Sequence, residues 1–436
     1  PPRSTLFPYT TLFRSANDAV CQYIQDQVKA LGLEMELIYE PFGGGHNITW
    51  SRAVLARLRG TASTKAFAVD AHFDSVPYGP GASDDDSGIA TMLETARALK
   101  AGPPLKNDVI FAFTDQEETG GDGARAFINH PWFKDVGVML GLEVRGTKGP
   151  SLMFETSQEN GWLIRELAKA GVHPRTTSIM FDIYDRLPFG SNFGQYKHHV
   201  PGYNIAFVDN FCYYHTRLDN PENLNMASLQ HHGEYTLNLA KHLGNIPLDQ
   251  CRAPNANYFN LLGDYLVVYP QSWSLPLTCV ALAMFAAALG FSWIRGRLRI
   301  GGFVAAWVTI LVAVLLALLA WLPIAASLYW RFREASLYQN NAYCVSFVIF
   351  ALCTLFLTVA TLRNKIRPVE WLAGSLFWWA ILLVLLQQYL VGGTYAAVWP
   401  LMLGAVALVA LSFAKEEQNS PSPHLMALTT ALILPS

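Results

Sequence analysis

Charge is scarce in this chain: Lys, Arg, Asp and Glu make up 15% of its 436 residues, where soluble domains average about 25%. A uniformly soluble protein is therefore excluded, and the shortage is uneven. Up to about Tyr269, charges, Gly/Pro turns and short apolar runs are mixed, whereas beyond Leu275 the residues are mainly Leu, Ala, Val, Phe and Trp. Cysteine is sparse too. Cys21, Cys212, Cys251, Cys279, Cys344 and Cys353 include no C-x-x-C pair, so spacing supports no disulfide framework and free thiols are expected. No basic cluster marks the first half, so nucleic acid is not an expected partner, and a net charge of -2 singles out no other.

Long apolar runs are what the second half has instead. Leu275 to Trp293, Ile300 to about Pro323, Tyr343 to Leu362, Trp371 to about Val391 and Tyr395 to Phe413 are uncharged, and about 18 such residues span a ~30 Å hydrocarbon core. A sixth run opens at Leu425. Five in tandem exclude a set of buried soluble helices and predict a multi-pass membrane bundle with the lipid bilayer as partner. Arg295, Arg297, Arg299, Arg363, Lys365, Arg367 and Lys415 follow the first, third and fifth runs; only Arg331 and Arg333 follow the second and fourth. That asymmetry puts the first set in the cytoplasm. The segment ahead of Leu275 is then expected outside it: in the periplasm or exterior of a bacterium, or in a vacuolar or endoplasmic reticulum lumen. With almost no charge inside the runs, an anchoring role is expected, and Gln387 and Gln388 read as helix-packing contacts.

Thr5 to Ser15, TLFPYTTLFRS, reads like the in-frame translation of a sequencing adapter, so residues 1–15 are set apart from fold reasoning and the chain is expected to be a fragment. Residues 16–250 then form one domain, 251–274 a linker and 275–436 the membrane region. Within the first domain, MELIYE, AVLARLRG, AFAVDAHF, DVIFAFTD, VGVMLGLEV, SLMFET and YNIAFVDN read as strands, several of them apolar on both faces. Residues 17–33, 87–100, 161–170 and 221–243 have helical patterning. Alternation of this kind predicts an α/β fold: a mixed, mostly parallel sheet between helical layers. Asn47-Ile-Thr would be a glycosylation acceptor only in a eukaryotic secretory pathway.

Carboxylates gather where strands end. The stretch from Val69 to Glu94 holds six acidic residues and His72, a density that repels itself unless a cation sits within it. Asp74 follows His72; Asp84, Asp85 and Asp86 lie in the Gly-rich loop before a helix; Glu117 and Glu118 end the next strand, Glu143 ends another, and His215 follows the last. Loops beyond the carboxyl ends of such strands converge on one crevice. Imidazole with carboxylate suits zinc, and several carboxylates suit two ions sharing a ligand.

HFDS, GPGASDDDSG, FTDQEETG, GLEVRG and YYHTRLDNPEN occur in an order that resembles the co-catalytic zinc exopeptidases of metallopeptidase family twenty-eight, over about Asn17 to Leu243. The likeness extends to a membrane subgroup, the vacuolar membrane protease and endoplasmic reticulum metallopeptidase type, in which a lumenal peptidase domain precedes transmembrane helices. The resemblance implies a three-layer α/β/α domain and two zinc ions, one held by His72, Asp84 and Glu143, the other by Asp84, Glu118 and His215. It also implies Glu117 as general base, Asp74 orienting His72, a supporting role for Asp219 beside His215, and a peptide substrate, most simply for an aminopeptidase. Asn192 in LPFGSNF stands where the family commonly has Asp, which predicts altered loop or substrate contacts and not loss of metal. Two other classes share the fold: a glutaminyl-cyclase-like zinc acyltransferase, and a peptidase-like binding module without catalysis. Oligomeric state is not legible.

Overall fold

The computed structural model describes residues 8–413 apart from 45–46, 63–64, 264, 338–339 and 363. Two compact units divide the chain, Pro1–Pro270 and Gln271–Ser436. In chain order the first contains α1 (Pro8–Ala30), β1 (Glu34–Gly44), β2 (Asn47–Leu58), β3 (Ala66–His72), α2 (Asp86–Ala101), β4 (Val109–Thr114), α3 (Asp122–Asn129), β5 (Val136–Val144), β6 (Leu152–Thr156), α4 (Gly161–Lys169), β7 (Arg175–Thr176), α5 (Ser178–Tyr184), α6 (Asn192–Tyr196), β8 (Gly202–Phe207) and α7 (Met226–Leu243). One eight-stranded sheet has the order β1-β2-β4-β3-β5-β8-β6-β7. Its four central strands, β4, β3, β5 and β8, run parallel, with antiparallel joins at β2–β4 and β8–β6.

Every residue of β3, β4 and β8 is buried, which is why their sequences are unbroken apolar runs and not alternating ones. Side chains alternate between two cores. On one face Val54, Phe67, Val69 and Phe111 pack with Ile24 of α1, Met92 of α2, Leu163 of α4 and Leu239 of α7. On the other, Leu55, Ala68, Ile110 and Met139 pack with Phe127 of α3 and Phe193 and Tyr196 of α6. The three-layer α/β/α arrangement expected from the sequence is the one formed.

Differences from the sequence reading are local. Helix α7 starts at Met226 and not at Pro221, because Asn225 caps it, its side chain accepting from the backbone N–H groups of Ala227 and Ser228. Residues 256–270, read as linker, form the antiparallel hairpin β9 (Ala256–Leu261) and β10 (Tyr265–Pro270). Ala256 and Tyr258 enter the first core. Asn47 has a backbone place in β2, but its side chain lies outside the described residues, as does the chain from Lys415 onward with the sixth run at Leu425.

Helix α7 also carries a pH-sensitive element of the core. His232 is fully buried, lies edge-on to Phe207 at 5.6 Å and meets Ser151 Oγ through Nδ1 at 2.8 Å. Burial, reinforced by His231, pushes its pKa down to about 3. The folded state keeps the imidazole neutral while the unfolded chain takes up a proton near pH 6.5, so this contribution to stability is complete above pH 6.5 and declines towards pH 3. The limiting slope is ~1.4 kcal/mol per pH unit. His232→Gln should therefore show a smaller fall in apparent Tm between pH 7 and pH 5 than the parent chain; parallel falls would refute the assignment.

The second unit contains α8 (Ser274–Ile294), α9 (Ile300–Leu337), α10 (Asn340–Leu362), α11 (Pro368–Tyr389) and α12 (Tyr395–Phe413). Among the described residues, five helices are long and apolar enough to cross a membrane. Helix α9 continues through Pro323, where a stop was expected; one lost backbone bond is tolerated in an otherwise uninterrupted apolar helix. Helix α11 begins ahead of the predicted Trp371 and takes Glu370 into its first turn. Glu370 is fully buried, gripped by Arg299 at 2.7 and 2.9 Å and by the Arg367 backbone N–H at 2.8 Å. Gly302 makes room for it, since a Cβ there would lie 2.1 Å from the carboxyl carbon. Gln387 acts as a packing contact, accepting from Thr278 Oγ1 at 3.0 Å across α8 and α11.

Candidate metal centre

Strand β3 ends in His72, and its partner register sets which side chain stands beside it. Asp70 of β3 pairs with Gly141 of β5, so two residues further along each strand His72 and Glu143 project on the same side. The loop from β3 into α2 brings Asp84, the turn after β4 brings Glu117 and Glu118, and the segment between β8 and α7 brings His215. All of these lie at or beyond the carboxyl ends of the parallel strands, where α/β sheets build their sites.

Two triads result. One donor atom from each of His72, Asp84 and Glu143 falls within 4.8 Å of the others, as does one from each of Asp84, Glu118 and His215. Asp84 belongs to both. Its Oδ1 lies 3.4 Å from His72 Nε2 and its Oδ2 lies 3.2 Å from His215 Nε2, while His215 Nε2 is 3.0 Å from Glu118 Oε1. Ligands about 2.0–2.1 Å from a tetrahedral zinc are roughly 3.4 Å apart, close to these spacings.

The donor atoms are otherwise unsatisfied. His72 Nε2, Glu118 Oε1, Glu143 Oε1 and His215 Nε2 are buried without a hydrogen-bond partner among the described residues. Native interiors rarely leave such atoms unpaired, and here they converge on two points, so the donor set fits zinc. Charge leads to the same conclusion. Burial pushes Glu143 well above the usual carboxylate range, with Glu117 adding to it, and burial likewise raises Glu117 to about 7, the neighbouring Glu118, Asp84 and Asp74 carboxylates reinforcing it and His72 opposing. Burial disfavours a charged His215, yet Asp84 and Glu118 outweigh it and push its pKa up to about 9. Without a metal, protons must neutralise the cluster, which is the condition of a site built for cations.

The surrounding contacts fix these groups. His72 Nδ1 bonds the Asp74 backbone carbonyl at 2.9 Å, with the Asp74 carboxylate 3.4 Å away. That carboxylate also accepts from the backbone N–H groups of Glu117 at 3.0 Å and Glu118 at 3.2 Å, so Asp74 ties the β4 turn to His72. Asp219, expected beside His215, instead accepts from the backbone N–H groups of Ser83 at 2.8 Å and Asp84 at 3.1 Å. It holds the loop that carries Asp84. Asp85 caps α2, its side chain accepting from the Gly88 N–H. His215 has φ +58°, a left-handed conformation uncommon outside glycine and a form of strain that clusters at functional sites.

Asp70 escaped the sequence reading. It lies two residues before His72, fully buried, and takes hydrogen bonds from Thr114 at 3.1 Å, Asn192 at 3.0 Å and Tyr196 at 3.0 Å. Burial raises its pKa to about 6 against those donors. The Asn192 amide, which also donates to Thr114 at 2.8 Å, thus faces inward to this carboxylate. The available signal was an Asp within the doubly buried run AFAVDAHF, because a buried carboxylate requires donors.

Residues 53–240 match Peptidase family M28, a segment that contains every member of both triads. The chain carries a Peptidase family M28 domain. Its relatives include endoplasmic reticulum metallopeptidase 1 of Mus musculus, 29% identical over 286 residues covering 61% of this chain and 32% of the relative. Vacuolar membrane protease of Candida dubliniensis is 29% identical over 299 residues, covering 65% of this chain and 32% of that protein. The chain thus spans about a third of the length of these curated relatives. Solved structures resembling the M28 domain include the glutaminyl cyclase of Porphyromonas gingivalis, at TM-score 0.42 and 17% identity over 52% of this chain and 90% of that one. The LapA aminopeptidase of Legionella pneumophila gives TM-score 0.40 and 17% identity over 53% and 64%.

Proposed function

We propose that the M28 domain is a dizinc aminopeptidase, anchored in a membrane by the second unit and working on the non-cytoplasmic side. The observation that carries this reading is the shared Asp84: each of its carboxylate oxygens faces a different histidine, so one side chain serves two ligand sets. His72 and Glu143 would complete one set, Glu118 and His215 the other. Zinc bound there would supply Lewis acidity, polarising a scissile carbonyl and acidifying a water. Glu117 belongs to neither triad and is held by the Asp74 carboxylate through its backbone N–H, which leaves its own carboxylate to take the proton from the attacking water and return it to the leaving amine. Asp74 keeps His72 and the Glu117 turn in register. The surplus of carboxylates attracts the α-ammonium of a peptide. The loop-charge asymmetry, seven basic residues against two, supports the non-cytoplasmic placement.

The full chain, purified in detergent with zinc, should contain about two zinc per chain by atomic absorption, in line with the two triads. It should cleave an aminoacyl anilide with a free α-amine and leave the N-acetylated anilide intact. A single zinc, or equal cleavage of both compounds, would overturn the proposal.

A further inference from the structure

Arg145 follows Glu143 by two residues at the end of β5, and its guanidinium makes no ion pair or hydrogen bond with the side chains or carbonyls of the described residues. It is half-buried, 4.2 Å from the Phe189 ring centroid and 5.4 Å from that of Tyr214. Aromatic faces hold the plane of a guanidinium while leaving its edge N–H groups free, and a fork of free donors matches a carboxylate through two parallel bonds. Tyr214 links this group to the metal centre: its ring stacks on His215 with centroids 3.6 Å apart.

The carboxylates Asp74, Asp84, Glu117, Glu118 and Glu143 thus have a cation of opposite sign near them, Arg145, beside two aromatic rings. A peptide substrate carries both complementary charges, an ammonium and a carboxylate.

We propose that Arg145, flanked by Phe189 and Tyr214, is a carboxylate-binding subsite for the peptide substrate of the M28 domain. The inference rests on the peptidase reading above. The carboxylate is the substrate's C-terminus or an acidic side chain near it.

The test uses the zinc-loaded full chain in detergent and a reduced-amide pseudodipeptide, which carries CH2–NH in place of the scissile CO–NH and does not depend on turnover. Three forms are compared: a free C-terminal acid, its amide, and an amide with Glu as the second residue. The parent chain should bind one of the two acidic forms about 10- to 100-fold more tightly than the neutral amide, as expected for charge-assisted hydrogen bonds. The form preferred identifies which carboxylate is read. Arg145→Met should abolish that preference, and Arg145→Lys should restore part of it. Equal binding of all three forms by the parent chain, or an undiminished preference in Arg145→Met, would overturn the subsite. Failure of the parent chain to cleave the anilide would instead count against the peptidase reading, and the binding comparison would still decide the subsite.

Discussion

Glu117→Gln is expected to lower kcat by roughly 10²- to 10⁴-fold, the range for losing a positioned general base, while zinc content and folding stay at the parental level. The separation follows from geometry. Glu117 contributes to neither triad, and the bond that positions it runs from its backbone N–H to Asp74 Oδ1 at 3.0 Å. Glutamine keeps that bond and the side-chain volume and removes only the capacity to accept and return a proton. The pH–rate profile carries the same signature with a defined sign. Burial and the neighbouring carboxylates hold Glu117 at about 7 when only His72 opposes them; bound cations favour the carboxylate further, so the acid limb of kcat should lie below pH 7 and be absent from whatever activity the variant retains. A kcat within threefold of the parent, measured at saturating aminoacyl anilide, would exclude Glu117 as the base.

Asp84→Asn should have the larger effect, with activity lost by more than about 10³-fold because both ligand sets lose their common member. Metal content distinguishes it from other ligand substitutions. His215→Ala removes a member of one triad and should leave the other partly occupied, whereas Asp84→Asn removes a charge from both. Zinc binding to the folded state raises its stability by mass action, so chelation should lower the Tm of the parent chain and leave Asp84→Asn nearly unmoved. A variant that retains about two zinc and a normal chelator response would show that Asp84 does not join the two sites.

The two halves of the chain were unequally legible. Strands β3, β4, β5 and β8 could be read because each is buried on both faces and so consists of a short apolar run bounded by turn residues. The short helices α3, α5 and α6, five to eight residues long, offer too few turns for a helical period to register. The hairpin β9–β10 was taken for linker because a strand pair at the margin of a core has little burial to pattern it. In the second unit hydropathy marked all five helices, and it could not show that Glu370 is neutralised by Arg299, a partner 71 residues away in the sequence.

Sequence alone determined the kinds of donor and their order along the chain: imidazole and carboxylate at successive strand ends, with a membrane-length apolar region after them. Tertiary structure decided which donors share a point in space. Strand order places β3 between β4 and β5, so Glu117, Glu118 and Glu143, far from His72 in sequence, stand beside it. It also decided which partners Asp219 and Asn192 take. Asp219, four residues from His215, accepts from the backbone of Ser83 and Asp84, and Asn192 donates to Asp70. The physical reason is common to both cases: a buried polar atom takes the partner that the packed backbone brings within about 3 Å, and separation along the chain has no part in that choice.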